Sequence, residues 1–202
     1  MKRIAIFGGT FDPVHNGHVK MAETIIARNL ADKVFFLPAK TPPHKLDKKI
    51  TSEAIRLRML ETVAGERIQI CRHEIDKPEA TSYSYKTMRE LKTLHPDKKL
   101  LFVIGMDSLR TIHFWREFTK FIQENEFIIF TRPGQKVPAI EELNENIQNI
   151  ALCEKLLNAL VELNQPISST QVREAVQNGA SLEGLIPQPV QEIIKSEQLY
   201  IM

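Results

Sequence analysis

Gly8-Gly9-Thr10-Phe11-Asp12-Pro13-Val14-His15-Asn16-Gly17-His18 stands between two segments of opposite character. Before it, Ile4-Ala5-Ile6-Phe7 is a short apolar run of the kind that forms a buried strand. After it, Val19 to Leu30 carries Val19, Ala22, Ile25, Ile26 and Leu30 at helical spacing. The chain is therefore expected to run strand, glycine-rich turn, helix. Two adjacent glycines let a backbone approach a ligand closely. The free N–H groups at a helix start favour an anion there. His15 and His18 lie about one turn apart, so both side chains can serve one side of the helix. The pattern points to phosphate handling, although many strand–Gly-Gly–helix turns bind nothing and histidine pairs also occur on plain surfaces.

Working outward, the chain has 202 residues, enough for one α/β domain with a small appendage. Its hydrophobic fraction of 43% and charged fraction of 26% are those of an ordinary globule. Lys and Arg total 27 against 25 acidic residues, a net charge of +2, so no nucleic-acid surface is expected. Apolar runs such as Leu100–Ile104 are far too short to span a membrane. The start of the chain lacks a signal-peptide pattern, so a cytoplasmic location is expected. Cys71 and Cys153 lie far apart without a CxxC partner, which argues against a disulfide framework or a zinc site. No protein-held metal site is expected.

Further strands are read at Lys33–Leu37, Ile68–Cys71, Lys99–Ile104 and Glu126–Phe130, the last two continuous and apolar, as in a parallel sheet covered on both faces. Helices are read at Thr51–Val63, with Arg56 and Arg58 towards solvent or paired with acids, and from the Thr81–Met88 stretch through Leu94. Residues 135–164 are less legible. Ile140, Leu143 and Ile147 have helical spacing, whereas Leu156–Val161 suits either a helix or a strand. Gly105-Met106-Asp107 follows the clearest strand at its carboxyl end, where open parallel sheets bind ligands; Asp107 reads equally as a ligand contact or a helix cap. Arg132 ends the next strand. Ile167-Ser168-Ser169-Thr170-Gln171-Val172-Arg173 reads locally as a capped helix start, with Arg173 one turn from the hydroxyls and able to share a phosphate with them.

Taken whole, the first stretch resembles the Gly-Gly-Thr-Phe-Asp-Pro-x-His-x-Gly-His signature of the nucleotidyltransferase superfamily, and Ile-Ser-Ser-Thr-x-x-Arg resembles its second signature. It matches neither the Walker pattern nor the GxGxxG fingerprint. Leu37-Pro38, followed by Pro42-Pro43-His44-Lys45, is similar to the branch that adenylylates pyridine mononucleotides, the bacterial nicotinate-nucleotide adenylyltransferases. The resemblance covers nearly the whole chain. It implies a Rossmann-like, open, mostly parallel sheet with helices on both faces, in a single domain over 1–202 with a small helical part from about 165.

The activity it implies is transfer of the adenylyl group of ATP to nicotinate mononucleotide, with Mg²⁺ carried mainly by the phosphates. His18, His15 and Lys45 are then the catalytic candidates. Gly8, Gly9, Thr10, Phe11, Gly105, Asp107, Arg132, Ile167, Ser168, Ser169 and Arg173 join the two histidines around ATP. His44, Lys45, Tyr83, Ser84 and Trp115 face the acceptor. Trp115 taken alone reads as core, and Asp12 either orders the turn or meets the ion through water. Lys86 stands where the family usually has an acid, so that acid's role does not transfer. An acceptor preference for nicotinamide mononucleotide, a non-catalytic nucleotide binder and a homo-oligomer remain open.

Overall fold

The computed structural model describes residues 1–40, 50–78, 82–132, 134–164 and 166–201. Within them a six-stranded, wholly parallel sheet is built from β1 (Lys2–Gly9), β2 (Lys33–Pro38), β3 (Ile68–Ile70), β4 (Lys98–Gly105), β5 (Glu126–Thr131) and β6 (Leu160–Glu162). The spatial order is β3-β2-β1-β4-β5-β6. The chain thus winds outward one way from β1, then returns to β4 and winds the other way. The switch point lies between β1 and β4, where a crevice opens outside their carboxyl ends.

Because both faces are covered, strand residues alternate between two apolar layers rather than between core and water. Ile4, Ile6, Leu100, Phe102, Ile104, Phe127 and Ile129 face one layer, together with α3 (Ser84–Leu94), α4 (Met106–Thr111), α5 (Phe118–Glu124), α6 (Ile140–Ile147) and α7 (Ile150–Leu157). Ala5, Phe7, Leu101, Val103, Ile128 and Phe130 face the other, with α1 (Asn16–Ala27), α2 (Glu53–Glu61), α8 (Ser169–Gln177) and α9 (Gln188–Ser196). The C-terminal helices α8 and α9 place Val172, Val190 and Ile194 in the layer that α1 and α2 occupy. They therefore share the core of the first half of the chain.

Several local details are set by the tertiary structure. Helix α1 begins at Asn16, between the two histidines and three residues before the first apolar position, with His15 as its cap. The Leu156–Val161 run is divided: Leu156 and Leu157 close α7, and Leu160 and Val161 belong to β6. Helix α3 has Tyr83 as its N-cap, and no side-chain cap bond is found there among the described residues. Arg56 does not face solvent. It is only 1% exposed, the largest fully buried side chain of the described residues. Arg58 does pair with an acid, Glu197.

Candidate active site

The β1–α1 turn is held so that two histidines form a reciprocal cap. His15, the N-cap of α1, accepts the His18 backbone N–H at its Nδ1 (3.3 Å), and His18 Nδ1 accepts the His15 backbone N–H (3.3 Å). Both Nδ1 atoms being acceptors, each ring carries its proton on Nε2, at the edge turned away from the backbone. The rings stack at 3.6 Å between centroids. A Cβ on Gly17 would lie 2.8 Å from the His15 ring, which accounts for glycine there. Burial, aided by the nearby Arg132 guanidinium, depresses the His15 pKa from 6.5 to about 3. Burial, with His15 beside it, holds His18 well below the usual histidine range. At neutral pH the pair is therefore uncharged and donates through Nε2–H.

This neutrality has a cost at low pH. The unfolded chain binds protons at pH 6.5 and below that the folded histidines refuse, so stability is full above that pH and falls as pH drops towards 3. Going from neutral pH to about pH 5, His15 alone is expected to cost about 2 kcal/mol in urea unfolding, with His18 adding in the same direction. A His15→Gln variant should lose correspondingly less. Equal losses in the two proteins would contradict the assignment.

The rest of the turn is fixed from several sides. Phe11 has φ of 50° and a buried ring that lies against Phe7, Phe36, His18 and the bare Cα of Gly9. Phe11 can thus meet a ligand only through its backbone. Gly9 carbonyl accepts the Ala39 N–H (2.9 Å), joining β1 to the end of β2. Arg56 donates from Nη1 to the carbonyls of Thr10 (2.8 Å) and Ala39 (2.8 Å), from Nη2 to Lys40 (3.1 Å) and from Nε to Thr51 (3.0 Å). Burial pulls its pKa down and Asp12 opposes this. A single guanidinium thus ties the β1–α1 turn to β2 and to the start of α2. The sequence offered one signal: Arg56 shares a helical face with Met59 and Leu60.

Helix α8 closes on the same turn. Ser168 caps it by accepting Gln171 N–H (3.2 Å), which leaves the hydroxyl proton to donate. Ser169 Oγ donates to Pro13 carbonyl (3.0 Å), and Arg173 Nη1 to Asp12 carbonyl (2.7 Å). Arg173 Nη2 reaches Thr170 Oγ1 (3.2 Å), and Ile167 carbonyl lies over Gly17. The two distant signatures therefore form one surface. Asp12 orders the turn, its Oδ1 accepting Tyr200 O–H (2.6 Å) and its Oδ2 accepting Thr51 N–H (3.3 Å).

Across the crevice, Gly105 is the N-cap of α4, and a Cβ there would meet nothing within 4 Å, so the space above it is open. Asp107 stands exposed in the first turn of α4 and is not its cap. Arg132 follows β5, half-buried. Tyr83 and Ser84 begin α3, with Arg116 over the Tyr83 ring at 5.1 Å. Trp115, half-buried, stacks on Phe121 (5.9 Å) and meets Phe102 edge-on (6.2 Å). It is a partly open ring seated on the core. Thr87 Oγ1 donates to buried Glu74 (2.8 Å), whose carboxyl pKa burial raises against the opposing pull of Thr87 and Ser82. His44 and Lys45 lie outside the described residues. No helix of the described residues is long and apolar enough to cross a membrane.

The sheet order and a turn of this kind at the switch point define an α/β protein of the Rossmann-like nucleotide-binding class. Residues 6–175 match the cytidylyltransferase-like family model, and the chain belongs to that family. It is 34% identical over 205 residues to the probable nicotinate-nucleotide adenylyltransferase of Clostridium tetani, with 99% of this chain and 100% of the relative covered. To the like-named protein of Geobacillus thermodenitrificans it is 37% identical over 207 residues, covering 99% and 87%. The fold is similar to that of Plasmodium falciparum nicotinic acid mononucleotide adenylyltransferase. That enzyme complexed with NaAD has a TM-score of 0.76 at 22% identity, and complexed with APC 0.75 at 21%; each comparison covers 99% of this chain and 98% of the other.

Proposed function

We propose that the chain transfers the adenylyl group of ATP to nicotinate mononucleotide, giving deamido-NAD and pyrophosphate. The observation that carries this reading is the joining of the paired-histidine turn to the start of α8 at the switch point, in a chain similar along its whole length to proteins named for that reaction. A phosphate oxygen of the mononucleotide attacks the α-phosphorus of ATP. A new P–O bond forms, the bond to the α–β bridging oxygen breaks, and pyrophosphate departs with that electron pair. No protein nucleophile is required. The protein aligns the phosphates and supplies donors where charge builds up.

The residues divide accordingly. His18 Nε2–H serves the α-phosphate and His15 the adjoining phosphates, both as neutral donors. Ser168, Ser169 and Arg173, with the N–H groups of the α8 start, hold the β- and γ-phosphates. Arg132 adds a positive charge beside His15. Gly8, Gly9, Thr10 and the Phe11 backbone line the phosphates. The open space over Gly105, with Asp107 beside it, takes the nucleoside, and Ile167, whose carbonyl lies over Gly17, adjoins the phosphates. Lys45 and His44 draw in the acceptor's phosphate. Tyr83, Ser84 and the open face of Trp115 meet the pyridinium ring, a cation suited to an aromatic face.

Magnesium fits only as an ion that arrives on the nucleotide. Both Asp12 oxygens are already hydrogen-bonded, and no group of three or more His, Cys, Asp or Glu among the described residues is arranged to hold a metal. Phosphate oxygens and water supply the ligands Mg²⁺ prefers. When bound, the ion offsets phosphate charge and favours departure of pyrophosphate.

Pyrophosphate release with ATP and Mg²⁺, offering nicotinate mononucleotide, nicotinamide mononucleotide and phosphopantetheine separately, tests the acceptor. The nicotinate form is expected to be preferred by tenfold or more, on the order of one hydrogen-bonding group's worth of discrimination. Preference for another acceptor would keep the chemistry and overturn the substrate. ATP binding without release for any of them would indicate a non-catalytic nucleotide binder.

A further inference from the structure

We propose that Tyr200, near the end of the chain, is a positioning residue of the nucleotide site, acting through Asp12. The inference rests on the adenylyltransferase reading above. Tyr200 Oη donates to Asp12 Oδ1 at 2.6 Å and accepts from Thr51 Oγ1 at 3.3 Å. Asp12 passes the constraint on: its other oxygen takes Thr51 N–H, and its backbone carbonyl takes the Arg173 guanidinium. One residue, Asp12, thus joins the phosphate turn, the start of α2, the arginine of α8 and Tyr200, the arginine through its backbone carbonyl and the other two through its carboxylate. Burial and the Asp12 charge both raise the Tyr200 pKa, keeping the phenol a donor.

The backbone around Tyr200 indicates that the contact is more than incidental. Tyr200 has φ of 63°, a left-handed conformation that costs free energy in a side-chain-bearing residue, whereas that of Gln198 (51°) is the ordinary close of α9, with Leu199 N–H returning to the Ile194 carbonyl (3.0 Å). The Tyr200 conformation sets the ring beside Asp12, 188 residues away in sequence. Without the phenol, Asp12 Oδ1 would be a buried carboxylate oxygen lacking its donor, and the turn that sets Arg173 and His15 would lose a fixed point.

Tyr200→Phe keeps the ring and removes only the donor. ATP affinity by calorimetry and the KM for ATP are expected to weaken about tenfold, with the mononucleotide KM within twofold of the unsubstituted protein. Combined with Asp12→Asn, it should cost little beyond Asp12→Asn alone, because the two residues act in series. Unchanged ATP binding in Tyr200→Phe, or losses that multiply in the double variant, would overturn the proposal. If the unsubstituted protein binds ATP but releases no pyrophosphate, the adenylyltransferase reading falls, and calorimetry alone decides the role of Tyr200. If it does not bind ATP, both fall.

Discussion

His18→Ala is expected to lower kcat by about a hundredfold to a thousandfold, the scale seen when one preorganised donor is removed from a developing charge. The imidazole is uncharged, so its contribution is a directed N–H rather than a net positive charge. That direction is fixed on three sides: Nδ1 holds the His15 N–H, one face stacks on His15, and the edges meet Phe7 and Phe11. Its structural duty is smaller. Losing the reciprocal cap costs on the order of 1 kcal/mol, which a folded domain tolerates. His18→Asn, which can still accept the His15 N–H, should recover part of that stability and little of the turnover. Circular dichroism and urea unfolding alongside kcat separate the two effects. Loss of folding matching the loss of turnover would assign His18 to structure alone.

Arg56→Met is expected to have the largest effect on stability, about 3–5 kcal/mol in urea unfolding, as for a buried ionic network broken by removing one partner. Four carbonyls would lose their donor together: Thr10, Ala39, Lys40 and Thr51. Methionine fills much of the volume, so the loss reads out the unsatisfied polar atoms rather than a cavity. Arg56→Lys should recover only a minor part, because an ammonium cannot present a planar fork to carbonyls on three segments. A cost below about 1 kcal/mol would mean that water reaches these carbonyls and the guanidinium is not the tie described.

The central frame was legible for a physical reason. β1, β4 and β5 are buried on both faces, so they read as continuous apolar runs, and their ends carry Gly8-Gly9, Gly105 and Arg132. What failed to read was local or distant. The start of α1 at the two histidines was legible, but their capping role was not, because histidine is outside the usual set of capping residues; here the ring nitrogens, stacked and neutral, do that work. The Leu156–Val161 run could not be divided by periodicity, since its five apolar residues fit both repeats and only the turn at Asn158–Ala159 separates helix from strand. Arg56 was placed outside because an arginine is ordinarily solvated, and its acceptors are backbone carbonyls, which leave no mark in a sequence. Tyr200 and Thr51 were missed for the related reason that their shared partner, Asp12, is brought to them only by the fold.

The most direct test of the central claim follows the α-phosphate of ATP through a single turnover. With the protein in excess over α-labelled ATP and Mg²⁺, label should stay in ATP until nicotinate mononucleotide is added. It should then appear in deamido-NAD in step with pyrophosphate release, with none on the protein at any time. Label on the protein, or pyrophosphate released without a labelled dinucleotide, would contradict direct transfer between the two bound substrates.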